Sequence, residues 1–451
     1  MKICGIETAA IAKIDGIAYA SIAGIDGIAA GPPVYGFKTE WTVAGDATAR
    51  TITLPLYNSG VFDCTVSWGD GTADSTITTY DDADRAHEYA SDGTYNVEIV
   101  GECPGWSFNN AGDRLKITDI LYWGDDEVFG GFQYLSAGFY GCENLKSVGN
   151  EPIIAKAALT SVYRLFQYCY ALTSIPDVGL LDNCINITSA QSLFYYCNNI
   201  ISGIPPALFK YNTALETVYT TFARCEKLTG DISEDLFLFN VALKYVGTAF
   251  SYCQKFEGTI PEGLFRANPE ILSMIGVFSF CPLLSGSIPQ DLFRYNTKVN
   301  NMESLFKGCY KLTGTIPVGL FAYNPLVTTF QSAFSDCRLI TYAPAELFRP
   351  HTLTTTFYQT FSSCYALQVD PEIFYLDGEQ STRFLNRSIN FQGCFYRNTF
   401  TGVQGEAPDL WNCTYGTGTP ISYLCFAGSA NGITTLSNWY SIPEAWGGTP
   451  V

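Results

Sequence analysis

Hydrophobic and polar positions divide the chain into three stretches with different periods. Across residues 131–451 an apolar pattern led by phenylalanine returns about every 28 residues. The run from Phe306, FKGCYKLTGTIPVGLFAYNPLVTTFQSA, is followed from Phe334 by FSDCRLITYAPAELFRPHTLTTTFYQT, and related runs open at Phe222 and Phe278. Their shared form is F-x-x-C-x-x-L-[TS]-G-x-I-P-x-x-L-F-x-x-N. Phe139 starts a first unit, Phe391 a tenth with a longer insertion, and Phe426 a degenerate eleventh in which Ser429 replaces the cysteine. Each unit is expected to hold a short strand around L-T-G-x-I and one or two short helical turns. The proline after Ile (Pro205, Pro261, Pro289, Pro317) ends the strand and suits a first helical position. The Leu-Phe pair that follows, such as Leu264 and Phe265, packs that turn on the core. No unit can bury its own apolar face, so the expectation is an α/β solenoid of about 11 units of about 28 residues. At about 4.8 Å per strand it extends roughly 50 Å.

Two polar columns follow the same period. Asn212, Asn240, Asn268, Asn296 and Asn324 recur in register, where a buried amide ladder can satisfy backbone groups left open at each corner. Cys142, Cys169, Cys197, Cys225, Cys253, Cys281, Cys309, Cys337, Cys364 and Cys394 each stand three residues after a phenylalanine. One cysteine per repeat, with no C-x-x-C pair, reads as a column of small buried hydrophobes with free thiols, not as disulfides or a zinc site.

Residues 36–130 alternate with a period of two in Ala49–Leu56 and Asp63–Trp68, which predicts strands. Trp68-Gly69-Asp70-Gly71-Thr72 is a tight-turn signature. Residues 1–35 form a third stretch, in which Ile3-Cys4-Gly5-Ile6, Ile14-Asp15-Gly16-Ile17 and Ile25-Asp26-Gly27-Ile28 recur every 11 residues. Glu7, Lys13, Asp15 and Asp26 interrupt any apolar run of the kind a secretory leader needs, so a cleaved leader is not expected. A Gly-rich apolar repeat this short orders by adding strands to a partner or by winding with copies of itself.

Four resemblances attach to these patterns. The repeat, as in Phe166–Pro176 (FQYCYALTSIP), resembles the leucine-rich repeats of BspA-like bacterial surface proteins, and Leu312–Pro317 resembles the plant type of leucine-rich repeat. The first of these families implies adhesion or recognition without naming a ligand. W-G-D-G-T at Trp68–Thr72, His87-Glu88-Tyr89 and Gly93-Thr94-Tyr95-Asn96-Val97 together resemble the polycystic-kidney-disease (PKD) type of Ig-like β-sandwich, whose signature residues are structural and which spaces or presents another module. Lys13–Ala29 resembles N-terminal segments of phage virion appendage proteins that precede adhesive domains. That likeness implies an anchoring peptide, with Ile3, Ile6, Ile14, Ile17, Ile25 and Ile28 docking the chain onto other virion proteins.

Composition narrows the picture. A net charge of −18 argues against a nucleic-acid partner, and no uninterrupted apolar run is long enough for membrane insertion. The excess acid lies mostly in residues 36–130, with 17 Asp and Glu against 5 Lys and Arg. There, Asp81, Asp82 and Asp84 read as a solvated loop ahead of a calcium site. Two histidines leave little room for histidine-centred chemistry. His87 falls inside the sandwich signature, and His351 takes the place of a repeat asparagine. Glu234, Asp235, Glu262 and Asp291 follow the Ile-Pro or Ile-Ser step and read as helix-capping acids. No phosphate loop, H-E-x-x-H or nucleophile elbow is present, so neither an enzyme nor a cofactor is expected.

The more promising chemistry is aromatic. Tyr140, Tyr168, Tyr170, Tyr195, Tyr196, Tyr252, Tyr310, Tyr365 and Tyr396 follow the repeat phenylalanine or cysteine, and stacking would turn them into a stripe. Tyrosine offers a flat ring with a polar tip, suited to sugars or protein. The same rings could instead pack between units.

The chain is therefore expected to have three parts: a 1–35 anchor, a 36–130 all-β PKD-like sandwich and the 131–451 solenoid. The expected function is a phage head or tail fibre, assembled in the host cytoplasm and binding a host-surface glycan or protein. A homo-oligomer, a trimer for instance, would add avidity. A bacterial cell-surface adhesin and a purely structural decoration protein are the alternatives.

Overall fold

The computed structural model describes residues 34–396 apart from 178 and 377, then 406–427 and 436–448, with backbone alone at Lys2–Ile3, Ile6–Glu7, Lys13–Ile14, Ile17–Ala18 and Gln404–Gly405.

The amino-terminal sheet follows from alternation. Strand β1 (Phe37–Val43) buries Phe37, Thr39, Trp41 and Val43 and turns the residues between them outward. A four-residue helix, α1 (Ala47–Arg50), leads into β2 (Thr51–Thr53). Then come β3 (Asp63–Ser67), β4 (Ser75–Ile77), β5 (Ala86–Glu88), β6 (Gly93–Glu102), β7 (Ile117–Tyr122) and β8 (Ser147–Val148). Six of these form one sheet in the order β8-β7-β1-β6-β3-β4, while β2 and β5 pair separately.

The W-G-D-G-T and H-x-Y residues hold the sheet's turn. Asp70 accepts hydrogen bonds from the Thr72 N–H (3.0 Å) and hydroxyl (2.6 Å), and lies 2.8 Å from His87 Nε2. Desolvation opposes ionisation, but these bonds prevail and hold the Asp70 carboxyl down at about 2. His87 stacks on Trp68, and Tyr89 donates to the Trp68 carbonyl at 3.0 Å. Gly69 has φ +77°, and a Cβ there would sit 2.3 Å from the Asn96 carbonyl oxygen, so only glycine fits.

The junction at residue 130 is packed. Strand β7 pairs in parallel with β8, which belongs to the first repeat, and Trp123 Nε1 donates to the Val148 carbonyl at 2.7 Å. Trp123 touches Phe37 on one side and Phe139 and Phe166 on the other, so one hydrophobic core runs from the sheet into the repeats.

Beyond it the chain coils in parallel turns. A ladder of single bridges runs through Ser161, Ser189, Thr217, Tyr245, Ser273, Asn301, Thr329, Thr356, Asn390 and Ile421. A five-stranded parallel sheet, β9 (Ser285–Gly286), β10 (Lys311–Thr315), β11 (Leu339–Ala343), β12 (Gln368–Val369) and β13 (Gln404–Gly405), gathers the L-T-G segments of successive units. The fold is a β-rich, solenoid-like stack.

The expected α/β character is corrected here. Among the described residues the only α-helix is α1, and the segments after Ile-Pro are tight turns such as Leu208 N–H to Pro205 carbonyl (3.1 Å). Backbone donors explain the difference. Along Val162–Tyr168 every second N–H reaches the next unit (Val162 to Ser189, Arg164 to Gln191, Phe166 to Leu193, Tyr168 to Tyr195), and these donors are thereby withdrawn from any helix. The intervening Leu165 and Gln167 N–H groups close four-residue turns onto the Val162 and Arg164 carbonyls, with left-handed φ at Arg164 (56°) and Tyr168 (62°) and at matching positions further along. The acids at Glu234, Asp235, Glu262 and Asp291 accordingly cap no helix. Arg266 binds Glu234 (3.5 Å) and Asp235 (2.7 Å), Arg294 binds Asp291 (3.2 Å), and Glu262 accepts from the Asp291 N–H (3.1 Å).

Three internal columns hold the stack. Phe139, Phe166, Phe194, Phe222, Phe250, Phe278, Phe306, Phe334, Phe361, Phe395 and Phe426 stack with centroids 5.2–6.0 Å apart. The thiols of Cys169, Cys197, Cys225, Cys253, Cys281, Cys309, Cys337 and Cys364 each donate to the previous unit's phenylalanine carbonyl at 2.9–3.2 Å. Burial pushes these thiols up, Cys281 to about 12, so they stay protonated donors. Asn240, Asn268, Asn296 and Asn324 are fully buried, and each donates to two carbonyls of the previous unit. His351 continues that column with Nε2 3.2 Å from the Phe321 carbonyl oxygen.

The stack also corrects the register near residue 391. Phe391 stacks on Phe357 (5.6 Å), and Phe395 is the ring that continues the main column from Phe361. The F-x-x-C at Phe391–Cys394 is thus a sequence coincidence four residues out of step. Cys394 fills the position that Thr360 holds one unit earlier, and Cys425 fills it one unit later.

Candidate ligand-binding stripe

The tyrosines singled out from the sequence converge on one edge of the stack. Left-handed turns there place the residue two after each column phenylalanine (Tyr168, Tyr196, Arg224, Tyr252, Phe280) on the outside, with the residue after each cysteine (Tyr170, Tyr310, Arg338, Tyr365) beside it. At the amino-terminal end Tyr168 lies 5.6 Å from Tyr140, 5.8 Å from Tyr170, 5.8 Å from Tyr195 and 5.4 Å from Tyr196. Further along, Tyr252 stacks on Phe280 at 4.5 Å.

Guanidinium groups interleave these rings. Arg164 lies over Tyr140 (5.6 Å) and Tyr163 (4.6 Å), Arg224 over Tyr196 (5.1 Å) and Tyr252 (3.9 Å), and Arg338 over Tyr310 (4.0 Å) and Tyr365 (5.5 Å). Nε of Arg164 and of Arg338 is buried without a hydrogen-bond partner, while Nη2 of Arg338 donates to Asp336 at 3.3 Å. Desolvation, chiefly, raises the phenols of Tyr170 and Tyr195 above the ordinary range, with neighbouring phenols adding to it.

All of the predicted tyrosines, Tyr396 included, are half-buried. Their rings pack against one another between units, which leaves each only partly open. A second aromatic column is more exposed: Tyr211, Phe239, Tyr295 and Tyr323, at 44–53%. It stands immediately before the asparagine ladder, in the form L-F-x-[YF]-N, and reading that motif for its variable position would have found it. Lys210 lies 5.0 Å from the Tyr211 ring and Arg294 5.2 Å from that of Tyr323.

Other sequence candidates resolve simply. Asp82 accepts from the Thr78 and Asp84 N–H groups, which lower its pKa and cap a turn, and no metal-like grouping occurs among the described residues. Cys64 and Cys103 are buried free thiols. Of the amino-terminal isoleucines, Ile3 pairs with Ile6 and Ile14 with Ile17 in two antiparallel ribbons, and Ile25 and Ile28 lie outside the described residues. No helix among the described residues is long and apolar enough to cross a membrane.

No family model matches the chain, and no curated protein matches it. Among solved structures, it is similar to the leucine-rich-repeat ectodomain of the Arabidopsis thaliana membrane receptor kinase GASSHO1/SCHENGEN3, at 11% identity and a TM-score of 0.18. That alignment covers 65% of this chain and 46% of the ectodomain, so the chain spans about half of that structure's length.

Proposed function

We propose that the chain is a phage virion appendage, a head or tail fibre that holds the particle through its 11-residue amino-terminal repeats and attaches to the bacterial surface through its repeat solenoid. In this reading residues 36–130 are a PKD-type module that ends the stack, and residues 131–451 are about 11 leucine-rich-type units. The observation that carries the attachment half is the run of tyrosines and arginines along one edge. Rings and guanidinium groups so alternated offer flat apolar contact beside hydrogen-bond donors, the combination that glycans and protein loops both use. The anchoring half rests on the sequence repeat alone. Buried thiols that act as hydrogen-bond donors favour assembly in a reducing cytoplasm. No catalytic step and no cofactor is needed, and several copies per particle would raise avidity.

The F-x-x-C-x-x-L-T-S-I-P form of the repeat favours one other reading, a bacterial cell-surface adhesin. Peptide mass spectrometry on density-purified particles separates the two. Abundant peptides from this chain, with residues 1–31 intact, support the virion protein. Recovery only from bacterial envelopes, trimmed behind the repeats, overturns it.

A further inference from the structure

The stripe loses its side chain at Gly308, as it does at Gly141 near its amino-terminal end. In the column two residues after each stacked phenylalanine, Tyr168, Tyr196, Arg224, Tyr252 and Phe280 are followed by Gly308, which projects no side chain. Its φ is +73°, and a Cβ there would lie 2.8 Å from Cδ1 of Phe280, so the Phe280 ring lies across the glycine. Beside it opens a cavity of about 230 Å³ bordered by Tyr252, Gln254, Phe280, Pro282, Gly308 and Tyr310. Arg224 and Arg338 hold the outer rings in place, at 3.9 Å from Tyr252 and 4.0 Å from Tyr310.

We infer that this cavity is a subsite for one pyranose ring of a neutral glycan. Four observations select that class. The walls are aromatic carbon and a proline, matched to the C–H groups of a sugar, and the polar groups among the lining side chains are two phenols and one amide, suited to hydroxyls. None of the lining side chains is charged, which disfavours an ionic ligand. The main chain is already committed: the N–H groups of Tyr252, Phe280 and Gly308 donate to the carbonyls of Ser279, Lys307 and Ser335 in the next unit, at 2.8, 2.6 and 2.8 Å. An extended peptide would find these three donors already taken, whereas a sugar needs only side chains. The volume is below the ~300–1,000 Å³ of drug-sized sites and suits a single ring.

This deepens the attachment reading by naming its ligand class, and the test separates the two. Saturation-transfer NMR is run on the full chain with the methyl glycosides of glucose, galactose and N-acetylglucosamine, one at a time. At least one is expected to receive saturation on the C–H protons of one ring face. Gln254→Ala, at an exposed position, and Tyr310→Ala are each expected to weaken binding about tenfold or more. No transfer to any of the three glycosides overturns the inference. So does undiminished transfer to a Gln254→Ala chain and a Tyr310→Ala chain that keep the parent's circular dichroism. Retention of host cells is read in parallel. Glycoside binding without cell retention upholds the subsite and sinks the attachment reading. Cells held equally by the parent and by a Tyr310→Ala chain that also keeps glycoside transfer leave attachment standing and overturn the subsite.

Discussion

The asparagine ladder permits a quantitative test at Asn268. Its side-chain N–H₂ donates to the carbonyls of Phe237 (3.0 Å) and Asn240 (2.9 Å), and its Oδ1 is buried without a partner. Each of those carbonyls keeps a second donor, the N–H of Asn240 and of Leu243 respectively. Asn268→Ala therefore removes two hydrogen bonds without fully orphaning either acceptor, and should cost about 1–3 kcal/mol. Asn268→Asp keeps the shape but puts a carboxyl oxygen where the donor was, facing two carbonyls. It can stay buried only by holding a proton, so its folded pKa rises well above the unfolded value of about 3.9. A raised folded pKa means that the folded state binds more protons. The aspartate variant is then most stable below the unfolded pKa and loses stability as pH rises, by up to about 1.4 kcal/mol per pH unit. At pH 7 it should be several kcal/mol less stable than Asn268→Ala, and that gap should narrow by up to about 2.7 kcal/mol at pH 5. Urea unfolding at both pH values, followed by circular dichroism, reads the difference. Equal midpoints for the alanine and aspartate variants at pH 7 would refute the claim that donation is what the asparagine supplies.

Other consequences are equally direct. Burial lowers the His351 pKa to about 4, so between that value and about 6.5 the unfolded chain binds more protons and stability falls as pH drops. The loss should approach about 3 kcal/mol near pH 4, and His351→Asn should abolish this part of the pH dependence in urea titrations. The repeat thiols should react with Ellman's reagent only after unfolding, since they are buried, protonated and hydrogen-bonded; rapid native labelling of several thiols would contradict the column. Gly69→Ala should cost about 2 kcal/mol or more in thermal unfolding, because its positive φ and the Asn96 carbonyl leave no room for a Cβ.

Much of this architecture is legible in the sequence because it depends on period. A residue recurring every 28 positions must form a column once the units stack, whatever conformation joins them. Hence the phenylalanine stack, the asparagine ladder, the free thiols and the role of His351 follow from spacing, and alternation in Asp63–Trp68 foretells its buried face. Three things needed the tertiary structure. Helical turns were expected because Pro and acids open them locally, but the backbone donors bond to neighbouring units, a choice no local window records. The Phe391–Cys394 motif matched the repeat by residue type, and only the packing of Phe395 on Phe361 shows the true register. That the tyrosines line up follows from their spacing, yet their half-burial, their arginine partners and the cavity at Gly308 arise from contacts between units 28 residues apart. Period determines which residues meet in a column, whereas the competition between units for hydrogen bonds and space decides which faces stay open.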